Sequence, residues 1–253
     1  MFRFLVIFAA FLHQCILMAQ KPVPAPATKS ETMILLKVGG GFYKSAGILG
    51  QRYPHFAGIP VAAYLKTSSN LTFGIDFMNF LGSKVNTTGL LQGINGSSGN
   101  VLDQNGFPTV IRYYMRGYTL TGTAGKLFKV NNKNPQLKLQ TQFGLGFMQH
   151  KTRMQLDAGR SPQVEGEYQE GYDRLTNGLQ LTQTLRLHYV NTETLSVFAG
   201  VDLSQGFTRN QRNWDYGFGN REPGRRLDTY FGISAGILIP ITLRSSTREP
   251  GYM

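Results

Sequence analysis

Apolar residues alternate with small or polar ones through segment after segment of this chain, and no stretch beyond the first twenty positions is apolar long enough to span a bilayer as a helix. A period of two sends successive side chains to opposite faces of a strand. Each segment therefore has one apolar face and one that is small, polar or charged. Such faces can be hidden by turning them inward, as in a soluble lipocalin-like barrel or sandwich. They can also be turned outward into lipid, where every backbone group needs a partner within the protein and only a closed barrel satisfies strands.

Eight segments carry the pattern. In 33–43, Ile34, Leu36, Val38 and Phe42 share one face, with Lys37, Gly39 and Gly41 opposite. Segment 57–65 alternates through Ile59, Val61, Ala63 and Leu65, and 71–77 through Leu71, Phe73, Ile75 and Phe77 against Thr72, Gly74 and Asp76. Segment 110–128 is less regular; Arg112, Tyr114, Arg116 and Tyr118 share a face, and a bulge is expected before Gly122. Segments 136–148, 175–190 and 195–203 follow, and 229–243 closes the series with Phe231, Ile233, Ala235, Ile237, Ile239, Ile241 and Leu243 on one face. The other faces hold Lys37, Asp76, Arg112, Arg116, Lys138, Arg186 and Asp202, which can neutralise one another in a narrow lumen but have no place in an oily core. The expected fold is all-β: an eight-stranded antiparallel up-and-down transmembrane barrel of outer-membrane type, its interior filled by side chains.

Connector lengths agree with that topology. Short links at 66–70, 131–135 and 191–194 alternate with long ones at 44–55, 82–109, 149–174 and 205–227. Short turns belong in the periplasm and long loops outside the cell, which puts both termini in the periplasm. Arg3 followed by apolar 4–12 reads as a signal peptide over 1–19. His13 and Gln14 occupy positions where a lipoprotein signal places small residues before its cysteine, which argues against lipidation at Cys15. Residues 20–32 then form a periplasmic leader, 33–243 the barrel and 244–253 a periplasmic tail.

The formal charge of +12 asks for an anionic partner. Cations are scattered between the segments and no recognition motif accompanies them, so no nucleic-acid partner is expected. The expected surroundings are the outer-membrane bilayer and lipopolysaccharide. No cofactor or metal is expected, because no Cys or His pair has ligand spacing. Nor is catalysis expected: His55, His150 and His188 are the histidines beyond the signal peptide, and none stands in a recognisable nucleophile–base pattern.

Four segments carry a more specific signal: QHK at 149–151, EGEYQEGYDRLTNGLQL at 165–181, GFTRNQRNWDY at 206–216 and RRLDTYFGISAGILIPI at 225–241. In these the chain resembles the PorG family, the small outer-membrane barrel of the Bacteroidota type IX secretion system. That resemblance implies a non-enzymatic component that contacts a periplasmic ring of a lipoprotein and its partner and serves secretion of proteins with a C-terminal sorting domain. The alternative is a general OmpX-like or OmpW-like barrel, structural, adhesive or passing small apolar solutes.

Candidate partner contacts on the periplasmic side are Lys66, in a short turn, and Arg244 and Arg248, in the tail. Outside, Arg209, Arg212, Arg225 and Arg226 surround Trp214, either to meet lipid phosphate through guanidinium forks or to pack the loop. Tyr172, Asp173 and Arg174 open the sixth segment, where an interfacial aromatic and an Asp–Arg pair are expected.

Overall fold

The computed structural model describes residues 32–91, 101–131, 134–157, 159–190, 196–217, 219–220, 222 and 224–243. The expected signal peptide, the expected leader up to residue 31 and the tail with Arg244 and Arg248 lie outside the described residues. In chain order the elements are β1 (Met33–Ala46), α1 (Gly47–Arg52), β2 (His55–Lys66), β3 (Leu71–Gly82), β4 (Val101–Leu102), β5 (Pro108–Thr109), β6 (Ile111–Asn131) and β7 (Asn134–Leu156), then α2 (Glu167–Glu170), β8 (Thr176–Tyr189), β9 (Ser196–Asn210) and β10 (Arg225–Thr242). The pair β4–β5 is a small hairpin within one long loop. The other eight strands are antiparallel neighbours in a ring closed by β1 on β10.

Register fixes the shape of that ring. Following hydrogen-bonded partners from Ile34 through Leu65, Phe73, Ala124, Phe143, Gln183, Leu203 and Phe231 returns to β1 at Lys44, ten residues beyond the start. With ~3.3 Å per residue and ~4.8 Å between strands, that stagger tilts the strands by about 40°. A residue then climbs ~2.5 Å along the axis, so five outward positions on one strand cover the ~25 Å apolar band of an outer-membrane barrel.

The side chains face as the alternation demands. Ile233 is 65% exposed, Leu145 60% and Ile75 59%, while Lys37, Gln140, Arg186 and Asp202 are buried on the inner side. A soluble barrel would reverse this arrangement. Among the described residues no carboxylate points outward from a strand; the strand carboxylates Asp76, Asp202 and Asp228 all face the lumen.

Deep inside, Lys37 and Arg186 are each paired with a carboxylate, as burial requires, whereas Lys138, nearer the short-turn end, stands opposite Lys129. Lys37 Nζ lies 2.7 Å from Asp76 Oδ1, and the Tyr64 hydroxyl donates to the same carboxylate. Arg186 Nη2 lies 2.6 Å from Asp202 Oδ1, while the Ser234 hydroxyl donates to the other carboxylate oxygen at 2.6 Å. Between these pairs a cavity of about 30 Å³, lined by residues such as Asp76, Thr121, Arg186 and Asp202, has room for about one water. Above it Tyr43, Phe56, Phe80 and Tyr230 close the axis, with Tyr43 stacked on Phe56 at 5.2 Å and Tyr230 edge-on to Phe56 at 5.3 Å.

Three expectations are corrected. Arg112 and Arg116 do not enter the lumen: the inner face of β6 is Met115, Thr119, Thr121, Thr123 and Leu127. The arginines face outward instead, Arg112 Nε 2.6 Å from Asp157 and the Arg116 guanidinium 4.9 Å from the Tyr114 ring centroid. The bulge lies between Lys129 and Asn131 and not before Gly122, so register runs unbroken past Gly122. Several strands also outrun the alternation: β7 continues to Leu156 and β9 to Asn210. Beyond the apolar belt an outward face becomes polar, so the pattern stops where the belt stops although hydrogen bonding continues.

Candidate functional site

The extra strand length builds a cap at the long-loop end. β1 runs straight into α1, which folds over the barrel mouth and buries Leu49, and Tyr53 follows it inward. Tyr53 Oη is 2.6 Å from Thr152 Oγ1 and its ring meets His150 edge-on at 5.7 Å. Arg52 reaches across to Glu222, Nη2 to Oε1 at 2.5 Å. Glu222 also accepts from Asn210 Nδ2 at 2.9 Å and from Arg226 Nη1 at 3.0 Å.

From Arg226 the network descends. Its Nη2 donates to Thr176 Oγ1 at 2.9 Å and lies 3.4 Å from Asp228, which also accepts from Thr208 at 2.6 Å and lies 2.9 Å from His150 Nε2. Toward the rim a second knot forms. Arg212 grips Asp173 with two parallel bonds, Nε at 2.9 Å and Nη2 at 2.7 Å, and gives Nη1 to Glu170 at 2.7 Å. This planar two-bond geometry is specific to a guanidinium. Arg174, at φ 50°, gives Nε to Asp215 at 3.1 Å. The Tyr172 and Tyr216 rings lie 5.1 Å apart. Gly171 permits this approach, since a Cβ there would come within 1.9 Å of the Tyr216 ring.

The electrostatics follow from these contacts. Burial alone would raise the Glu222 carboxyl, but the hydrogen bond and charge of Arg52, with Asn210 and Arg226, hold it down at about 2. The hydrogen bond to Asp173 raises the Arg212 guanidinium further against its partial burial, so it keeps its charge at any accessible pH. Acids and bases are matched across the cap, and among the described residues no three His, Cys, Asp or Glu side chains are gathered as a metal site would gather them.

The expected rim arginines therefore separate into two groups. Arg212 and Arg226 turn inward and pack the loop. Arg209 and Arg225 face outward, directly opposite each other across β9 and β10. Trp214 is half exposed on the same loop. Lys66 is not an exposed turn residue as expected: it ends β2 on the lumen side at 1% exposure, and its Nζ donates to the carbonyl of Thr67. Tyr172 is not an interfacial aromatic but a buried member of the cap. Asp173 and Arg174 pair with Arg212 and Asp215 and not with each other. Sequence reasoning missed Arg52, Glu170, Asp215, Glu222 and Asp228, although acids scattered among the loop arginines were a signal that those arginines had partners.

The four segments that carry the family resemblance meet here. His150 and Lys151 come from the first, Glu170, Asp173, Arg174 and Thr176 from the second, Thr208, Asn210, Arg212 and Asp215 from the third, and Arg226 and Asp228 from the fourth.

No family's sequence profile matches the chain, and no curated protein matches it. Solved structures do. Neisserial surface protein A matches at 13% identity with a TM-score of 0.46, over 81% of this chain and 96% of that one. The N-terminal β-barrel domain of Pseudomonas aeruginosa OprF matches at 10% and 0.37, over 83% and 98%. Ail, the attachment invasion locus protein of Yersinia pestis, matches at 12% and 0.36, over 84% and 100%.

Proposed function

We propose that the protein is a small, non-conducting, non-catalytic barrel of the outer membrane, periplasmic at both termini, that displays a rigid ion-paired platform outside the cell in a structural or adhesive role. The carrying observation is the inverted polarity of the barrel, with a belt of exposed Ile, Leu, Val and Phe around a lumen of paired charges and stacked rings. Lipid is the solvent that such a surface fits. The long loops and their cap then face outward and the short turns face the periplasm. Two features support a role without catalysis or conduction. His150 is wholly buried beneath Tyr53 and beside Asp228, and α1 with its aromatic floor lies over the axis. The test is fractionation of cells expressing the full chain, with planar-bilayer recording of the purified protein. A heat-modifiable outer-membrane band without steady conductance is expected; a freely soluble protein or a stable open channel overturns the reading.

A role in type IX secretion is the second reading, favoured by the convergence of all four resembling segments on one cluster. Under this reading the ring is met on the periplasmic side, at the three short turns, the leader and the tail, and deleting the gene blocks release of proteins with the C-terminal sorting domain. Normal secretion from the deletion strain refutes it.

A further inference from the structure

The outward face of β8, β9 and β10 carries a row of three exposed apolar residues, Leu179, Phe207 and Leu227, paired strand to strand. Two residues nearer the long-loop end, the next outward row is Asn177, Arg209 and Arg225, again paired strand to strand. Like charges directly opposite on an antiparallel pair repel, and here no carboxylate among the described residues stands within 4 Å of either arginine to relieve them. Glu222, a carboxylate of the same loop, is taken by Arg52 and Arg226. The other outward cation pair, Arg116 opposite Lys151, is differently placed: Lys151 has Asp173 at 3.5 Å and Arg116 gives Nη1 to the carbonyl of Met115 at 2.8 Å. Among the described residues, the Arg209–Arg225 pair combines unrelieved repulsion with an apolar row directly beneath it.

We propose that Arg209 and Arg225, with the Asn177 amide beside them, bind a phosphate of the outer-leaflet glycolipid, whose acyl chains lie along Leu179, Phe207 and Leu227. This rests on the outer-membrane reading above. Two guanidinium groups offer forked donors that match phosphate oxygens. The anion cancels the repulsion between them, and the apolar row fixes the height at which a lipid phosphate arrives. A free anion has no use for that lower row, so the site belongs to a lipid headgroup and not to dissolved phosphate. The two arginines stand apart from the cap's own ion pairs, so loop packing and lipid capture use different members of the same arginine-rich segment.

The test uses the full chain refolded in detergent, with lipid A carrying its phosphates, lipid A stripped of them, and inorganic phosphate as probes in native mass spectrometry. Arg209→Gln with Arg225→Gln is expected to weaken phosphorylated lipid A at least ~10-fold, to leave the stripped lipid unaffected, and to reduce the salt dependence of binding. Lys126→Gln, an outward cation at the opposite end of β6, is expected to bind as the unaltered protein does. Equal affinity of the double variant, equal affinity of the stripped lipid, or full displacement of lipid A by millimolar inorganic phosphate overturns the proposal. Heat-modifiable migration is scored on every sample, so a failure of the barrel reading shows as loss of the folded band and is distinct from a folded barrel that ignores lipid phosphate.

Discussion

Acid should release the cap at one identifiable carboxylate. Glu222 ties α1 to the last long loop and to β10 through Arg52, Asn210 and Arg226. Its carboxyl is held at about 2 against an ordinary 4.5. At 1.36 kcal/mol per pH unit that difference corresponds to ~3 kcal/mol, and the group's partial exposure to solvent reduces the usable figure to about 1–2 kcal/mol. The folded-state value is depressed, so this stabilisation is fully present above pH 4.5 and is lost as pH falls from there through 2. The chain's single tryptophan, Trp214, sits in the loop that Glu222 helps to dock, so acrylamide quenching of its fluorescence reads the docking directly. In the unaltered protein quenching should be flat from pH 7 to 5 and rise between pH 4 and 2. Glu222→Gln cannot lose a charge it lacks, so its quenching should be raised at neutral pH and the acid step should largely vanish. Identical curves for the two proteins would refute the assignment, because another acid would then be holding the loop.

Ile233→Arg places a charge mid-way along the outward face of β10 and should destabilise the barrel by ~2–4 kcal/mol in lipid vesicles, read by urea titration of the heat-modifiable band; a change within ~0.5 kcal/mol means that this face meets water. Arg186→Met strands the buried Asp202 and should cost about 3–5 kcal/mol in the same titration, most of it recovered when Asp202→Leu is added; a silent single substitution would show that the pair is not sealed. Gly171→Ala drives a methyl into the Tyr216 ring and should loosen the cap by ~1–3 kcal/mol, seen as faster protease cleavage of the loops with an intact barrel core. Tyr216→Ala should suppress that effect, and independent, additive effects of the two substitutions would refute the contact.

The chain by itself determined the barrel, because strand periodicity is local: side chains two residues apart share a face wherever the strand ends up, and apolar belts of five positions are visible without knowing their neighbours. Strand count, antiparallel order and the alternation of short and long links followed from the same local signal. Where the belt ended the signal ended too, so β7 and β9 ran on unseen to Leu156 and Asn210 and β6 was assigned the wrong inner face at Arg112 and Arg116. The partners of the loop arginines belonged to the tertiary structure alone. Arg52 meets Glu222 and Arg212 meets Asp173 across separations of 170 and 39 residues. Arg209 and Arg226 are both arginines of the same rim, yet one faces outward and the other a buried carboxylate. The side each takes follows from its place in the alternation of its own strand; which carboxylate it then meets depends on the register of the closed sheet and the fold of the loops, which no single segment contains.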